Sequence, residues 1–146
     1  MGLSNKENKT PLDPTTQSGK LIDEIIDKIN YTTYKTNLCN FVPFNKNGKL
    51  RYPTQKEMDS SMCDLINRLT KNNCNIVFLL GGKVTKTIER YYNVKIKDIY
   101  KYENFTFVSV QHPSYIMVYK KKFKEDYIHK IVNIINDLEN RRNTLS

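Results

Sequence analysis

Ile76-Val77-Phe78-Leu79-Leu80-Gly81-Gly82 is the stretch on which the fold reading turns. A run of five apolar residues has the form of a short strand buried on both faces, and the two glycines carry the chain out of it. Val84, Ile88 and Tyr91 then recur at helical spacing, so the unit is strand, turn, helix. The glycines leave amides open at a helix start, but they lack the spacing of a P-loop or a dinucleotide fingerprint; tight packing of the turn accounts for them.

Working outward, Phe105-Thr106-Phe107-Val108-Ser109-Val110 is another strand, broken by Gln111-His112-Pro113-Ser114. Residues 94–104 are mixed and basic and give a short strand or a loop. Upstream, Tyr34-Lys35-Thr36-Asn37-Leu38 reads as a strand of β-branched and aromatic residues that ends before Pro43, Asn45 and Asn47-Gly48. Leu21, Ile22, Ile25, Ile26 and Ile29 line a helix from Lys20 to about Asn30, with Ser18 placed to cap it. Thr54-Gln55-Lys56-Glu57 has the capping-box form and opens a helix whose face is Met58, Met62, Leu65, Ile66 and Leu69. Lys71-Asn72-Asn73 ends it, and Cys63, beside that face, is read as a core residue. A last helix near residues 124–141 carries Tyr127, Ile128, Ile131, Val132, Ile135 and Leu138 inward and His129 outward.

Alternating helices and strands predict an α/β fold, a three-layer α/β/α arrangement with a short, mostly parallel central sheet, in a single domain over residues 1–146. Residues 1–19 are polar, with two prolines and two glycines, and read as a ligand loop with no strand before it.

At 146 residues, with 38% apolar and 11% aromatic content, the chain can bury a real core. No apolar run reaches the roughly 18 residues of a membrane span, and MGLSNKENK carries no hydrophobic signal region. A cytoplasmic or other intracellular protein, not secreted and with no membrane partner, is expected. The three cysteines, Cys39, Cys63 and Cys74, lack paired spacing and are read as free thiols in a reducing compartment. A formal charge of +9 points to nucleic acid, against the plainer alternative of a general lysine excess in a Lys-, Asn-, Ile- and Tyr-rich chain.

Two polar side chains fall where strands end, the place where open α/β sheets bind ligands. Asn37 offers a donor and an acceptor that match an amide-like ring, although an Asn there also serves as an ordinary turn residue. His112 is held before a proline, which suits a positioned donor and equally a structural hydrogen bond. Tyr115-Ile116-Met117-Val118-Tyr119, followed by Lys120, Lys121, Lys122 and Lys124, sets apolar groups beside dense positive charge. That pairing can grip phosphates while a wedge enters the base stack; the alternative is an amphipathic segment with a solvated lysine face.

Four pieces in order resemble the uracil-DNA glycosylase superfamily, most closely the family typical of thermophilic bacteria and archaea. They are Gly2-Leu3-Ser4 through Pro11-Leu12 with Ser18-Gly19-Lys20-Leu21; Tyr34-Lys35-Thr36-Asn37; Arg51-Tyr52-Pro53-Thr54 to Glu57 with Leu79-Leu80-Gly81; and His112-Pro113-Ser114. The resemblance implies hydrolysis of the N-glycosidic bond of uracil, or a related base, in DNA for base excision repair. It assigns Asn37 to the uracil edge and His112 to the carbonyl oxygen that gains charge as the bond breaks. Ser18, Gly19, Pro113 and Ser114 would lie at flanking phosphates, with Lys120, Lys121 and Lys122 adding charge; Tyr115, Ile116 and Met117 would form the wedge.

The first loop departs from the family pattern. Gly2 and Leu3 fall in the base-binding segment, Leu12 takes the place of an aromatic that stacks on the base, and the water-orienting group is left to Asp13, Ser4 or Asn5. Many relatives hold an iron–sulfur cluster on four cysteines; Cys39 and Cys63 fall near two of those positions but shifted, so neither metal nor cofactor is expected. The partner is then DNA containing uracil or another altered base, bound by a monomer. Two other readings stand beside this one: a catalytically silent relative that binds nucleic acid or a modified base, and a small phosphate- or nucleotide-binding α/β protein.

Overall fold

The computed structural model describes residues 12–40 and 45–145, the side chains of 143–145 excepted. Gly2, Leu3, Ser4, Asn5 and Pro43 lie outside the described residues. The chain is mixed α/β, and its described part divides into two compact units, one within residues 34–110 and the other made of residues 12–33 and 111–145.

The first unit holds α2 (Gln55–Ser60), α3 (Met62–Lys71), β1 (Ile76–Leu80), α4 (Gly82–Tyr92), β2 (Ile99–Tyr102) and β3 (Phe105–Val110). Sheet order is β1-β3-β2, with β1 parallel and β2 antiparallel to β3. The sheet is therefore short, as expected, but mixed rather than mostly parallel. The antiparallel strand comes from the basic 94–104 segment, whose Tyr100 and Tyr102 pair with Phe107 and Phe105. β3 is central and largely buried. β1 lies at an edge of the described sheet and only Leu79 in it is buried, so its apolar run marks a partly covered strand rather than one enclosed on both faces.

At the end of β1 the chain turns through Gly81, whose φ of 102° excludes a side chain without strain, and the Gly81 amide donates to the Val110 carbonyl at 2.9 Å. That bond ties the ends of β1 and β3 together. Gly82 has open space where a side chain would be, so tight packing does not account for it, and at Gly81 it is the positive φ that favours glycine.

The capping box at Thr54 forms as its sequence predicts: the Thr54 hydroxyl accepts from the Glu57 amide, and the Glu57 carboxylate accepts from the Thr54 amide. Arg51 adds a two-pronged ion pair to Glu57, and this guanidinium, with the amide bond, holds the carboxyl down to about 2. The helix that follows breaks at Ser61, whose hydroxyl bonds back to the Glu57 carbonyl. Met58, Met62, Leu65 and Leu69 enter a core with Leu38, Ile88 and Phe107; each such burial stabilises the fold by about 1.5–3 kcal/mol. Cys63, expected in that core, is exposed because it lies off the apolar stripe of α3, with its sulfur 3.9 Å from the Tyr91 hydroxyl.

The second unit is helical: α1 (Gln17–Asp27), α5 (Pro113–Tyr119), a 3-10 turn (Lys121–Phe123) and α6 (Lys124–Leu145), with α1 packed against both α5 and α6. α1 begins three residues before Lys20 because Thr16, not Ser18, is its cap; the Thr16 hydroxyl accepts from the Gly19 amide at 3.0 Å. Leu21, Ile25, Ile116, Ile128 and Ile131 are buried. His129 is exposed, off the inward face of α6. Among the described residues no helix is long and apolar enough to cross a membrane.

Candidate active site

Tyr34–Leu38 is not a strand. The carbonyls of Asn37 and Leu38, which a sheet would have satisfied, are taken instead by one side chain of α3. The Arg68 guanidinium donates to the Thr36 hydroxyl, to the Asn37 carbonyl at 2.8 Å and to the Leu38 carbonyl at 2.9 Å. Its Nε pairs with Asp64 at 2.8 Å. Leu38 and Cys39 then enter the core, so Asn37 is fixed between a guanidinium clamp and two buried anchors. The Asn37 side chain is half-buried, and among the described residues none bonds its carboxamide.

In the second unit His112 is the N-cap of α5, in an extended conformation, with Pro113 buried as the first helical residue. The Ser114 amide reaches His112 Nδ1 at 3.0 Å, and the Ser114 hydroxyl lies 2.8 Å from the same nitrogen. An amide N–H can only donate, so Nδ1 is an acceptor and the proton of the neutral ring sits on Nε2. Nε2 is buried and has no partner among the described residues. Burial also pushes the imidazole down to about 4, which keeps it neutral near pH 7. The result is an aimed, uncharged N–H donor. The Tyr127 hydroxyl donates to the Gln111 carbonyl at 2.7 Å, securing the residue before it.

The segment leading into α1 belongs to the same unit as His112. The Asp13 carbonyl accepts from the Thr16 amide at 3.0 Å and from the Thr16 hydroxyl at 2.7 Å. Its carboxylate Oδ1 accepts from the amide and hydroxyl of Thr15, both at 2.8 Å. One oxygen of this water-orienting candidate is therefore engaged in the turn. Any side chain at Gly19 would collide with the carbonyls of Asp13 and Leu12, so glycine is required there by close approach. Ser18 sits half-buried in the first turn of α1, and Leu12 is held at φ 51°, a left-handed conformation that costs a branched residue about 1–2 kcal/mol.

The wedge segment is helical, which redistributes its side chains. Ile116 is 3% exposed and belongs to the interior, so it is withdrawn from the wedge; helical spacing turns it inward together with Pro113. Tyr115 remains exposed and Met117 is partly so. Val118, 67% exposed, and Tyr119, 72% exposed, are the most accessible apolar groups of the segment, and the Tyr119 ring lies 5.2 Å from that of Tyr115. Lys120, Lys121 and Lys122 are exposed beside them, with Lys120 and Lys122 over the Phe123 ring at 5.8 and 5.1 Å.

Arg68, Tyr127, Val118 and Tyr119 do not stand out in the sequence as site residues. The Asp64–Arg68 spacing on α3 is the available hint for the first, and Tyr127 is legible there only as a core residue.

The chain carries three cysteines, one fewer than the four thiolates that hold an iron–sulfur cluster. Burial raises the Cys39 thiol above its ordinary range, and the Ser61 hydroxyl points at its sulfur. Among the described residues no three His, Cys, Asp or Glu side chains converge as metal ligands.

Comparison with known proteins agrees with this architecture. The chain is 23% identical to the solved wild-type SMUG2 of Pedobacter heparinus, with a TM-score of 0.57 over 86% of this chain, which shows a shared fold. It spans 58% of that solved chain's length. No curated protein sequence matches it significantly. The sequence profile of the uracil DNA glycosylase superfamily matches residues 6–136, most of the chain. The chain belongs to the uracil DNA glycosylase superfamily.

Proposed function

We propose that the protein hydrolyses the N-glycosidic bond of uracil, or a closely related base, in DNA, releasing the free base and leaving an abasic site for base excision repair. The observation that carries this reading is His112: a neutral imidazole whose Nε2–H is buried and unpartnered among the described residues while Nδ1 is held by Ser114. As the bond between C1′ and the base breaks, the electron pair leaves with the base and negative charge gathers on its carbonyl oxygens. A fixed donor in a dry setting stabilises that charge at no reorganisation cost, an effect worth about 100- to 1000-fold in rate. Water then adds its hydroxide to C1′, and its proton ends on the departing base.

Asn37 reads the base edge in this scheme, one carboxamide pairing with an acceptor and a donor of uracil. Leu12, with Gly2 and Leu3, lies against the base, and Asp13, Ser4 or Asn5 orients the water. Tyr115, Met117, Val118 and Tyr119 supply the exposed apolar groups that replace the extruded base, while Lys120, Lys121 and Lys122 draw in phosphates; extrusion costs a few kcal/mol that these contacts offset. Ser18, Gly19, Pro113 and Ser114 lie at flanking phosphates.

A second reading is favoured by one observation, the engagement of Asp13 Oδ1 by Thr15. A chain without a water-orienting carboxylate would bind altered DNA and leave it intact. A uracil-containing oligonucleotide incubated with the protein and treated with alkali separates the two. Cleavage at uracil supports the glycosylase; salt-sensitive binding without cleavage supports the silent binder.

A further inference from the structure

We infer that Arg68 is a positioning residue for Asn37, taking the place of the strand that would otherwise hold the base-reading carboxamide. The inference rests on the proposed role of Asn37. Thr36, Asn37 and Leu38 lie in no sheet, yet a reader of a flat base must be held within a few tenths of an ångström to discriminate by hydrogen bonds. A single guanidinium supplies the missing order. Its three nitrogens bond the Thr36 hydroxyl, the Asn37 and Leu38 carbonyls and the Asp64 carboxylate, so both carbonyls around the Asn37–Leu38 peptide converge on one rigid fork.

The placement of the guanidinium fits that role. The Arg68 side chain is 14% exposed, so its bonds are little screened by water, while Asp64 at 58% exposed orients the fork from the solvent side. Asp64 and Arg68 are one turn apart on α3, whose Leu65 and Leu69 are core residues. The clamp is thus carried by a helix that cannot shift without disturbing the core. Lysine in its place would keep the charge but could not serve three acceptors in a plane.

The test reads the clamp directly and then through catalysis. Amide ¹⁵N relaxation is measured at Asn37, backbone and carboxamide, in the wild type, Arg68→Lys and Thr36→Val; the carboxamide signals are those that disappear in Asn37→Ala. The order parameter at Asn37 is expected to fall from about 0.85 to below about 0.6 in Arg68→Lys, and by less in Thr36→Val, which serves alone if the first variant does not fold. In parallel kcat/KM for uracil excision should fall about 100-fold, mostly in kcat, with affinity for uracil-free DNA unchanged. An Asn37 that stays rigid in a folded variant overturns the inference. So does an unchanged kcat in a variant whose melting temperature alone has dropped. A wild type that releases no uracil, while Asn37 still loosens in the variants, would overturn the proposed function and leave the clamp standing.

Discussion

The Ser114 amide lies 3.0 Å from His112 Nδ1, and that one hydrogen bond decides which nitrogen of the ring carries the proton. Since the amide cannot accept, Nε2 is the donor, and burial holds the ring neutral down to about pH 4 instead of the ordinary 6.5. His112→Ala should lower kcat by about 100- to 1000-fold with little change in DNA affinity. The acid limb of the wild-type rate profile should bend near 4. In the unfolded chain the imidazole takes up a proton below 6.5, whereas in the folded chain it does so only near 4. The stability that the neutral ring contributes is therefore complete above 6.5 and disappears as pH falls toward 4. Melting temperatures across that window should drop less steeply for His112→Gln, which has no proton to take up.

Asn37→Ala is expected to abolish uracil excision while binding to uracil-free DNA stays within about twofold, because a reader of the base edge contributes nothing to phosphate binding. Steady-state excision and fluorescence anisotropy on matched oligonucleotides check this. An equal loss in both would remove Asn37 from its assigned role.

Ile116 and Tyr119 should part company under mutation. Ile116, 3% exposed, packs inside the helical unit, so Ile116→Ala should cost about 2–5 kcal/mol of stability in denaturant unfolding. Tyr119, 72% exposed, should tolerate Tyr119→Ala with unchanged stability but weaker DNA binding and slower excision.

Replacing Lys120, Lys121 and Lys122 together by Ala should weaken binding regardless of sequence and flatten its salt dependence. For every phosphate that a lysine no longer neutralises, the slope of log K against log salt falls by about 1. Titrations at several salt concentrations measure the slope.

The sequence is legible where the determinant is local. The capping box at Thr54 and Glu57, the β3 run from Phe105 to Val110 and the apolar face of α6 each declare themselves within a few residues, and each is observed. Tyr34–Leu38 has the composition of a strand, but composition says nothing about which partner takes its carbonyls; here the partner is a guanidinium about thirty residues later. Ser18 has the residue type of a cap for α1, yet Thr16 holds that position because Gly19 must sit against the Asp13 carbonyl. The proline after His112 marks the histidine in the sequence, but its tautomer depends on the Ser114 amide, a matter of three-dimensional geometry. Ile116 looks like a wedge residue until its segment is known to be helical, because only then does an apolar run show which of its residues face inward.

A time course with a single-uracil oligonucleotide, using wild type beside His112→Ala and following free uracil and the alkali-sensitive break together, tests the role of His112 and the reaction at once. Stoichiometric release of uracil and strand scission at that position are expected with the wild type, slowed at least about 100-fold in the variant. Release of uracil at equal rates by both proteins, or intact DNA with the wild type, would refute the proposed chemistry.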